Sequence, residues 1–381
     1  MAKKKILIFI DWYLPGYKAG GPVQSVANLV ENLKDEFDFS IITRDTDYCE
    51  SSPYSNVKSD EWNILPNGIK VYYISKEQLT RSNLKKLMSN TAYDAVYLNG
   101  IFSLYFTLIP LYYFRKKNKK LLVIAARGMF ASSAMNVKKN KKQFFFRVIK
   151  VLQLFDNVLF HATNEKEKLE IIKVLGDKTG VRIAANLPHK MSIQTLPPRI
   201  KLSNTLRLVN VARIAPEKNL LVALEILKMV KSNVEFDFYG PIYSQAYWSQ
   251  CKLALDDLPS NIKANYKGSI ESGRVLDLLK EYHFMFMPTR GENFGHVILQ
   301  SLTVGCPVII SNKTPWVELQ EKNIGWDLPL EHTEKFAEVI DQCTKMDQKE
   351  FDILSKASFD YASAFINNKE IIEQNKHLFI V

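Results

Sequence analysis

Residues 289–312 read T-R-G-E-N-F-G-H-V-I-L-Q-S-L-T-V-G-C-P-V-I-I-S-N, and the fold is decided here. Phe294, Val297, Ile298, Ser301 and Leu302 fall at i, i+3, i+4, i+7 and i+8, the spacing of one buried helical face. Gly305, Cys306 and Pro307 then stop the helix, and residues 308–311 read as a buried strand. The helix begins near Phe294 and Gly295, so its first backbone N–H groups and the positive end of its dipole are available to an anion such as a diphosphate. Gly295 lets that anion come close to the backbone. Glu292 stands just before the first turn, and Gln300 lies eight residues later on the helix. Taken alone, the stretch fits an ordinary buried α/β unit with a polar first turn as well as it fits a binding site.

The rest of the chain narrows the choice. Its 381 residues are long for one domain and comfortable for two, each with its own core. A composition 46% hydrophobic and 24% charged fits a folded chain and excludes a disordered one. The net charge of +11 favours anionic lipid surfaces, phosphate-bearing substrates or nucleic acid, without choosing among them. Cys49, Cys251, Cys306 and Cys343 are far apart and show neither C-x-x-C nor Cys/His clustering, which argues against a zinc site or a disulfide framework and makes a reducing cytosol the default. The apolar run at 6–10 is too short for a signal peptide and leads into Asp11, so it reads as a first strand. The longest apolar stretch, 101–114, contains Pro110 and falls short of the ~20 residues that span a bilayer. No transmembrane helix is expected.

In chain order, the strand at 6–10 is followed by a loop containing Gly20, Gly21 and Pro22, then by an amphipathic helix starting near 23–25. Strand, glycine-rich loop and helix form a Rossmann-like first unit, although the loop is not G-x-G-x-x-G and no dinucleotide cofactor is expected. The two glycines alone also fit a simple tight turn. Strands at 40–43, 69–74, 95–98 and 121–125, with helical segments between several of them, argue for a parallel, doubly wound sheet. Residues 48–66, rich in Ser, Asn, Asp and Pro, read as a long loop. Asn99 and Arg127 each follow a strand end, where open α/β sheets bind ligands. Arg127 is a candidate for an acceptor or phosphate contact, the other reading being a surface salt bridge. Residues 138–150 combine clustered Lys with aromatics on a helix. They suit contact with an anionic membrane surface, or a core-facing Phe/Ile/Val stripe with a solvated basic face. His161 reads as structural, and Asn164 caps a helix over 166–174.

After a strand at 181–184 periodicity disappears, and 189–205 reads as a linker between domains at 1–188 and 206–365. The second domain opens with a strand at 206–211. Arg213 and Lys218 then bracket a loop that enters a helix over 220–231. Two cations at a strand end can neutralise a departing nucleoside diphosphate without a metal. Strands at 234–239 and 284–287 end at Gly240 and before Thr289. His296, on the first helical turn, suits a phosphate or sugar contact, or capping and packing. The remaining histidines show no ligand spacing. A helix is expected after Trp316, then a turn and strand near Gly325, then two further helices.

The stretch resembles the nucleotide-sugar signature of the retaining glycosyltransferases of family 4, which have the GT-B fold. That signature is Glu, seven residues, Glu, with Phe-Gly two and three places after the first Glu. Glu292, Phe294 and Gly295 match, and Gly305, Cys306, Pro307, Thr314, Pro315 and Trp316 resemble one bacterial branch. Gln300 replaces the second Glu. Its oxygen can accept a ribose hydroxyl, though without charge. The resemblance implies an α/β chain of two Rossmann-like domains facing each other across a cleft, the first completed by a C-terminal helix within 366–381. It implies transfer of a sugar, with retention, from a UDP- or GDP-sugar to a glycan or lipid-linked acceptor of surface polysaccharide, with no metal or other cofactor. The expected location is the cytoplasm, at the inner face of the membrane.

In that resemblance Glu292 orients the sugar hydroxyls, while Arg213, Lys218 and the helix start at Phe294 and Gly295 hold the diphosphate. Gly20, Gly21, Asn99, Arg127, Gly240, Ile270, Asn293, His296 and Gln300 are the remaining candidate substrate contacts, the resemblance placing backbone near Ile270 against the base. Many members have a His near Arg127, so no catalytic role carries over to that residue. Three rivals stand beside this reading. Gln300 motivates a non-enzymatic nucleotide-sugar or glycan binder. The charge motivates a nucleic-acid binder, although no RNP or helix-turn-helix motif supports it and nucleic acid is not expected as a partner. The third is an epimerase or phosphorylase of related architecture.

Overall fold

A computed structural model describes residues 2–117, 120–131, 135, 139–190 and 195–380. The chain divides into two compact units, Met1–Lys190 with Asn368–Val381, and Met191–Asn367.

The first unit is built on eight strands: β1 (Lys4–Phe9), β2 (Phe37–Arg44), β3 (Trp62–Ile64), β4 (Lys70–Ile74), β5 (Ala95–Asn99), β6 (Leu121–Ala125), β7 (Leu159–Ala162) and β8 (Gly180–Ile183). Their order is β3-β4-β2-β1-β5-β6-β7-β8. All pairs are parallel except β3 with β4. Central strands of such a sheet are covered on both faces, which is why β1 is buried continuously from Ile6 to Phe9 and not at alternate residues. The crossovers include α1 (Gly21–Leu33), α2 (Arg81–Asn90), α3 (Ile109–Lys117), α4 (Lys139–Val151) and α5 (Glu165–Leu175). Pro22 lies in the first turn of α1, where no backbone donor is needed, so this helix starts slightly earlier than its apolar pattern suggests.

Local features differ from the sequence reading. The expected loop at 48–66 contains β3, whose Trp62 lies edge-on against Tyr72 at 5.5 Å. Three residues are too few to express an alternating pattern, so pairing with β4 decides their conformation. The end of the chain forms three helices, not two: α10 (Thr333–Lys345), α11 (Gln348–Ile366) and α12 (Lys369–His377). Asn368 caps α12 through Glu370 N, which breaks it from α11. Helix α12 belongs to the first unit. There Asn375 donates to the carbonyl of Ala185 at 2.8 Å, and the Phe379 ring lies 5.3 Å from Phe37.

The second unit has six parallel strands: β9 (Arg207–Val211), β10 (Val234–Tyr239), β11 (Ile262–Tyr266), β12 (Phe284–Met287), β13 (Val308–Ser311) and β14 (Gly325–Leu328), ordered β11-β10-β9-β12-β13-β14. Helices α6 (Leu220–Met229), α7 (Gln245–Asp256), α8 (Val275–Leu279) and α9 (His296–Thr303) connect them. One core, centred on Phe236, Phe238, Phe284 and Phe286, lies on one face, and a second, centred on Met285, Met287, Ile298 and Leu302, on the other. After Trp316 the chain forms turns instead of the expected helix. Glu318 (φ 60°) and Asn323 (φ 54°) adopt left-handed backbone, and Asp327 captures the N–H of Leu319 at 2.9 Å.

Within the stretch read as a linker, residues 191–194 lie outside the described residues, and 195–205 pack on the second unit. Arg199 donates to the carbonyls of Lys280 (2.9 Å), Gly305 (2.8 Å), Val304 (3.1 Å) and Leu279 (3.3 Å), which terminate α8 and α9. Cationic side chains are favoured at helix C-termini, and this tethering is invisible to a periodicity argument. No helix among the described residues is long and apolar enough to cross a membrane.

Candidate functional site

In the second unit the polar residues collect at the carboxyl ends of β9, β12 and β13. The ammonium of Lys218, at the end of a short 3-10 turn after β9, donates to Glu292 Oε1 at 2.5 Å. Thr289 Oγ1 lies 3.1 Å from the same carboxylate oxygen. The two charged side chains are only 18% and 11% exposed, so their geometry is fixed while one side stays open to solvent.

Backbone and amide bonds hold the two loops together. Arg290 N donates to Glu217 O at 3.0 Å, and Arg290 Nε donates to Asn219 Oδ1 at 3.0 Å. Asn219 Nδ2 donates to Pro288 O at 2.9 Å. Asn219 itself sits in the left-handed region at φ 63° and is buried, which turns the chain sharply from Lys218 into α6. From β13, Ser311 Oγ donates to Thr289 O at 2.5 Å.

The loop from Glu292 then enters α9. Gly295 has φ 79°, and a Cβ there would stand 2.7 Å from Ile298 Cδ1, so the start of the helix requires glycine. The indole N–H of Trp316 donates to the Phe294 carbonyl, and the Phe294, Trp316 and Phe365 rings pack together with centroids 5.4 Å to 6.0 Å apart. His296 is the first residue of α9 and lies 4.8 Å from the Phe294 ring. Gln300 is partly exposed one turn later, and Asn293 is partly exposed between Glu292 and Phe294.

Arg213 is placed on the loop of Lys218, stacked 4.9 Å from the Tyr243 ring and 3.3 Å from Glu217. Among the described residues no hydrogen bond joins it to Glu292. Gly240, at φ 149°, brings the end of β10 against β9 so closely that a Cβ would lie 1.9 Å from Ala212 O. Its N–H donates to Gly268 O at 2.8 Å, two residues before the half-buried Ile270.

The first unit carries the other group. Asp47 accepts from Tyr17 N (2.9 Å) and Lys18 N (3.2 Å), anchoring the loop that leads to Gly20 at the cap of α1. A Cβ on Gly21 would meet nothing within 4 Å, so the loop backbone is open on that side. Across the carboxyl ends of β5 to β8, Arg127 (φ 53°) donates to Asn99 Oδ1 at 2.8 Å, to Tyr97 OH at 2.9 Å and to Asn186 Oδ1. These partners are neutral, so the surface salt bridge weighed for Arg127 is not what holds it. His161 Nδ1 lies 2.8 Å from Tyr97 OH and Nε2 2.8 Å from Ala184 O. Burial, reinforced by the Arg127 charge, pulls the His161 pKa down to about 3, which keeps the ring neutral. Nε2 therefore donates to Ala184 O, Nδ1 accepts from Tyr97, and the Tyr97 oxygen accepts from Arg127.

Asn219, Thr289, Tyr97 and Asn186 were absent from the sequence-level site. Thr289 and Asn186 lie just beyond strand ends, a signal the sequence offers, whereas Tyr97 lies within β5 and Asn219 well past β9, with no such mark. Among the described residues no group of three or more His, Cys, Asp or Glu side chains could hold a metal ion.

Residues 194–358 match the family profile described as Glycosyl transferases group 1. A search of curated protein sequences finds no match. Among solved structures, HepE from Anabaena in complex with UDP and glucose superposes with a TM-score of 0.70 at 14% identity, covering 98% of each chain. Sucrose-phosphate synthase from Thermosynechococcus elongatus gives 0.71 at 15% identity, covering 99% of this chain and 98% of its own. WaaG, a glycosyltransferase involved in lipopolysaccharide biosynthesis, gives 0.65 at 12% identity and 99% coverage of both. At these identities the likeness establishes the fold, which is GT-B. With the group 1 domain spanning the Lys218–Glu292 cluster, the chain is a glycosyltransferase.

Proposed function

We propose that the chain transfers a sugar from a nucleoside diphosphate sugar, with UDP or GDP as carrier, to a hydroxyl of a glycan or lipid-linked acceptor, with retention of anomeric configuration and without a metal. The observation that carries this reading is the Lys218–Glu292 pair at the mouth of α9, inside the group 1 domain. Lys218, Arg213 and the α9 start offer positive potential to a diphosphate. Glu292, held by Lys218 and Thr289, presents carboxylate oxygens to sugar hydroxyls. In the transfer the bond from the anomeric carbon to the phosphate oxygen breaks and a bond to the acceptor oxygen forms on the same face. The departing diphosphate takes the acceptor proton, and the growing charge on it is what the cations stabilise. HepE, solved with UDP-glucose, makes a UDP-sugar the first donor to try.

The site of action is an anionic membrane surface. On α4, Phe144 (68% exposed), Val148 (37%), Val151 (81%) and the adjacent Leu152 (57%) form one outward apolar stripe, flanked by exposed Lys141, Arg147 and Lys150. Phe145, Phe146 and Ile149 pack inward, so the helix carries both a core face and an outward one. Lys138, at the edge of the basic stretch, lies outside the described residues.

The test is incubation of the full chain with UDP-glucose and other UDP- and GDP-sugars, following the freed nucleotide and the anomeric proton coupling of the product. Release of UDP or GDP with retained configuration supports the proposal. Inverted product contradicts the mechanism, and the absence of any turnover or donor hydrolysis favours a binding protein of the same fold.

A further inference from the structure

The Arg127 guanidinium is placed unlike that of Arg199, another partly buried arginine. Arg199 spends its donors on four carbonyls at helix C-termini, where the dipoles offset its charge. Arg127 instead meets two amide oxygens and a phenol, and no ion pair to it forms among the described residues. Each of its terminal nitrogens donates once in this network and retains a second N–H. The neighbouring carboxylate, Glu167, is committed elsewhere: it accepts from Gly128 N at 2.6 Å and from Thr163 N and Oγ1 at 2.7 Å.

The support beneath Arg127 has a fixed polarity. The chain from Ala184 O through His161 and Tyr97 ends with an oxygen lone pair turned to Arg127, and the neutral imidazole adds no competing positive charge. Asn99 and Asn186 clamp the guanidinium from the ends of β5 and β8. A cation held rigidly by neutral groups, half-buried at the carboxyl edge of a parallel sheet, with two N–H groups to spare, has the complement of an oxyanion.

We infer that Arg127 is the centre of a phosphate-binding site on the first unit, and that it receives a phosphate group carried by the acceptor. Tyr97 and His161 act as positioning residues for it. The inference rests on the transfer reading above for the word acceptor, while the phosphate site itself stands on this geometry alone.

Inorganic phosphate is the probe, titrated calorimetrically into the full chain, first alone and then with the donor site saturated by UDP. The expected result is phosphate binding in the presence of UDP that weakens about tenfold or more in Arg127→Gln, with UDP affinity unchanged. Arg127→Lys keeps the charge but loses the planar fork, and guards against a folding defect in the first variant. An intermediate loss of phosphate affinity supports the site, and full affinity in Arg127→Lys and Arg127→Gln overturns it. The assignment to the acceptor is also overturned if Arg127→Gln weakens UDP binding and leaves phosphate binding intact. Should UDP fail to bind at all, the transfer reading falls, whereas the titration without UDP still decides whether Arg127 holds phosphate.

Discussion

Acidification separates a His161 held neutral by burial and the Arg127 charge from one that takes up a proton in the folded chain as an ordinary imidazole does. In the folded chain its pKa is pulled to about 3, against an ordinary 6.5. Well above pH 6.5 the ring is neutral in both folded and unfolded states and contributes no pH dependence. Below that, the unfolded chain binds a proton that the folded chain refuses, so stability falls with pH until about pH 3. Between pH 7.5 and 5.5 the loss from this one group amounts to about 1.4 kcal/mol.

His283, in the second unit, is pulled to about 4 and adds a loss of the same sign there. Asp11, raised mainly by burial, acts in the opposite sense at lower pH. Comparison with His161→Gln cancels both. The assay is native-state hydrogen exchange of peptides covering β5 to β7, read at both pH values after correction for intrinsic rates. The wild type should lose about 1.4 kcal/mol more than the variant on acidification. An identical loss in the two proteins refutes the neutral imidazole and, with it, the polarity of the Tyr97–Arg127 support.

Three further outcomes follow from particular contacts. Gly240→Ala forces a Cβ to within 1.9 Å of Ala212 O. It should cost the second unit about 3 kcal/mol or more, seen as a lowered urea midpoint. Gln300→Glu restores a charged acceptor and should tighten UDP binding by about 1 kcal/mol, measured by titration, if ribose hydroxyls lie against this position. Phe144→Asp removes the largest exposed apolar side chain of α4. It should weaken sedimentation with phosphatidylglycerol vesicles by about 2 kcal/mol, roughly thirtyfold, while binding to neutral vesicles stays low in both proteins.

Much of this was legible in the sequence because buried parallel strands are continuous apolar runs. β6, β10, β12 and β13 appear with the boundaries read from composition alone. The α9 face was equally clear, since Ile298, Ser301 and Leu302 are buried at the expected spacing. What escaped was structure decided by specific hydrogen-bond partners and not by a periodic apolar pattern. β3 exists through its pairing with β4, Arg199 through carbonyls some eighty and more residues away, and the turns after Trp316 through capture by Asp327. At the site, Glu292 and Lys218 could be named but not joined, for they are 74 residues apart. Asn219 and Thr289, which join their loops, are ordinary polar residues until the sheet brings β9 beside β12.

The most direct test of the account is calorimetric titration of UDP and GDP into the wild type and into Lys218→Ala. The account predicts that one nucleotide binds the wild type and that the variant binds it about tenfold or more weakly, with its thermal midpoint otherwise little changed. Equal nucleotide affinity in the two proteins would contradict the assignment of the Lys218–Glu292 cluster as the donor site.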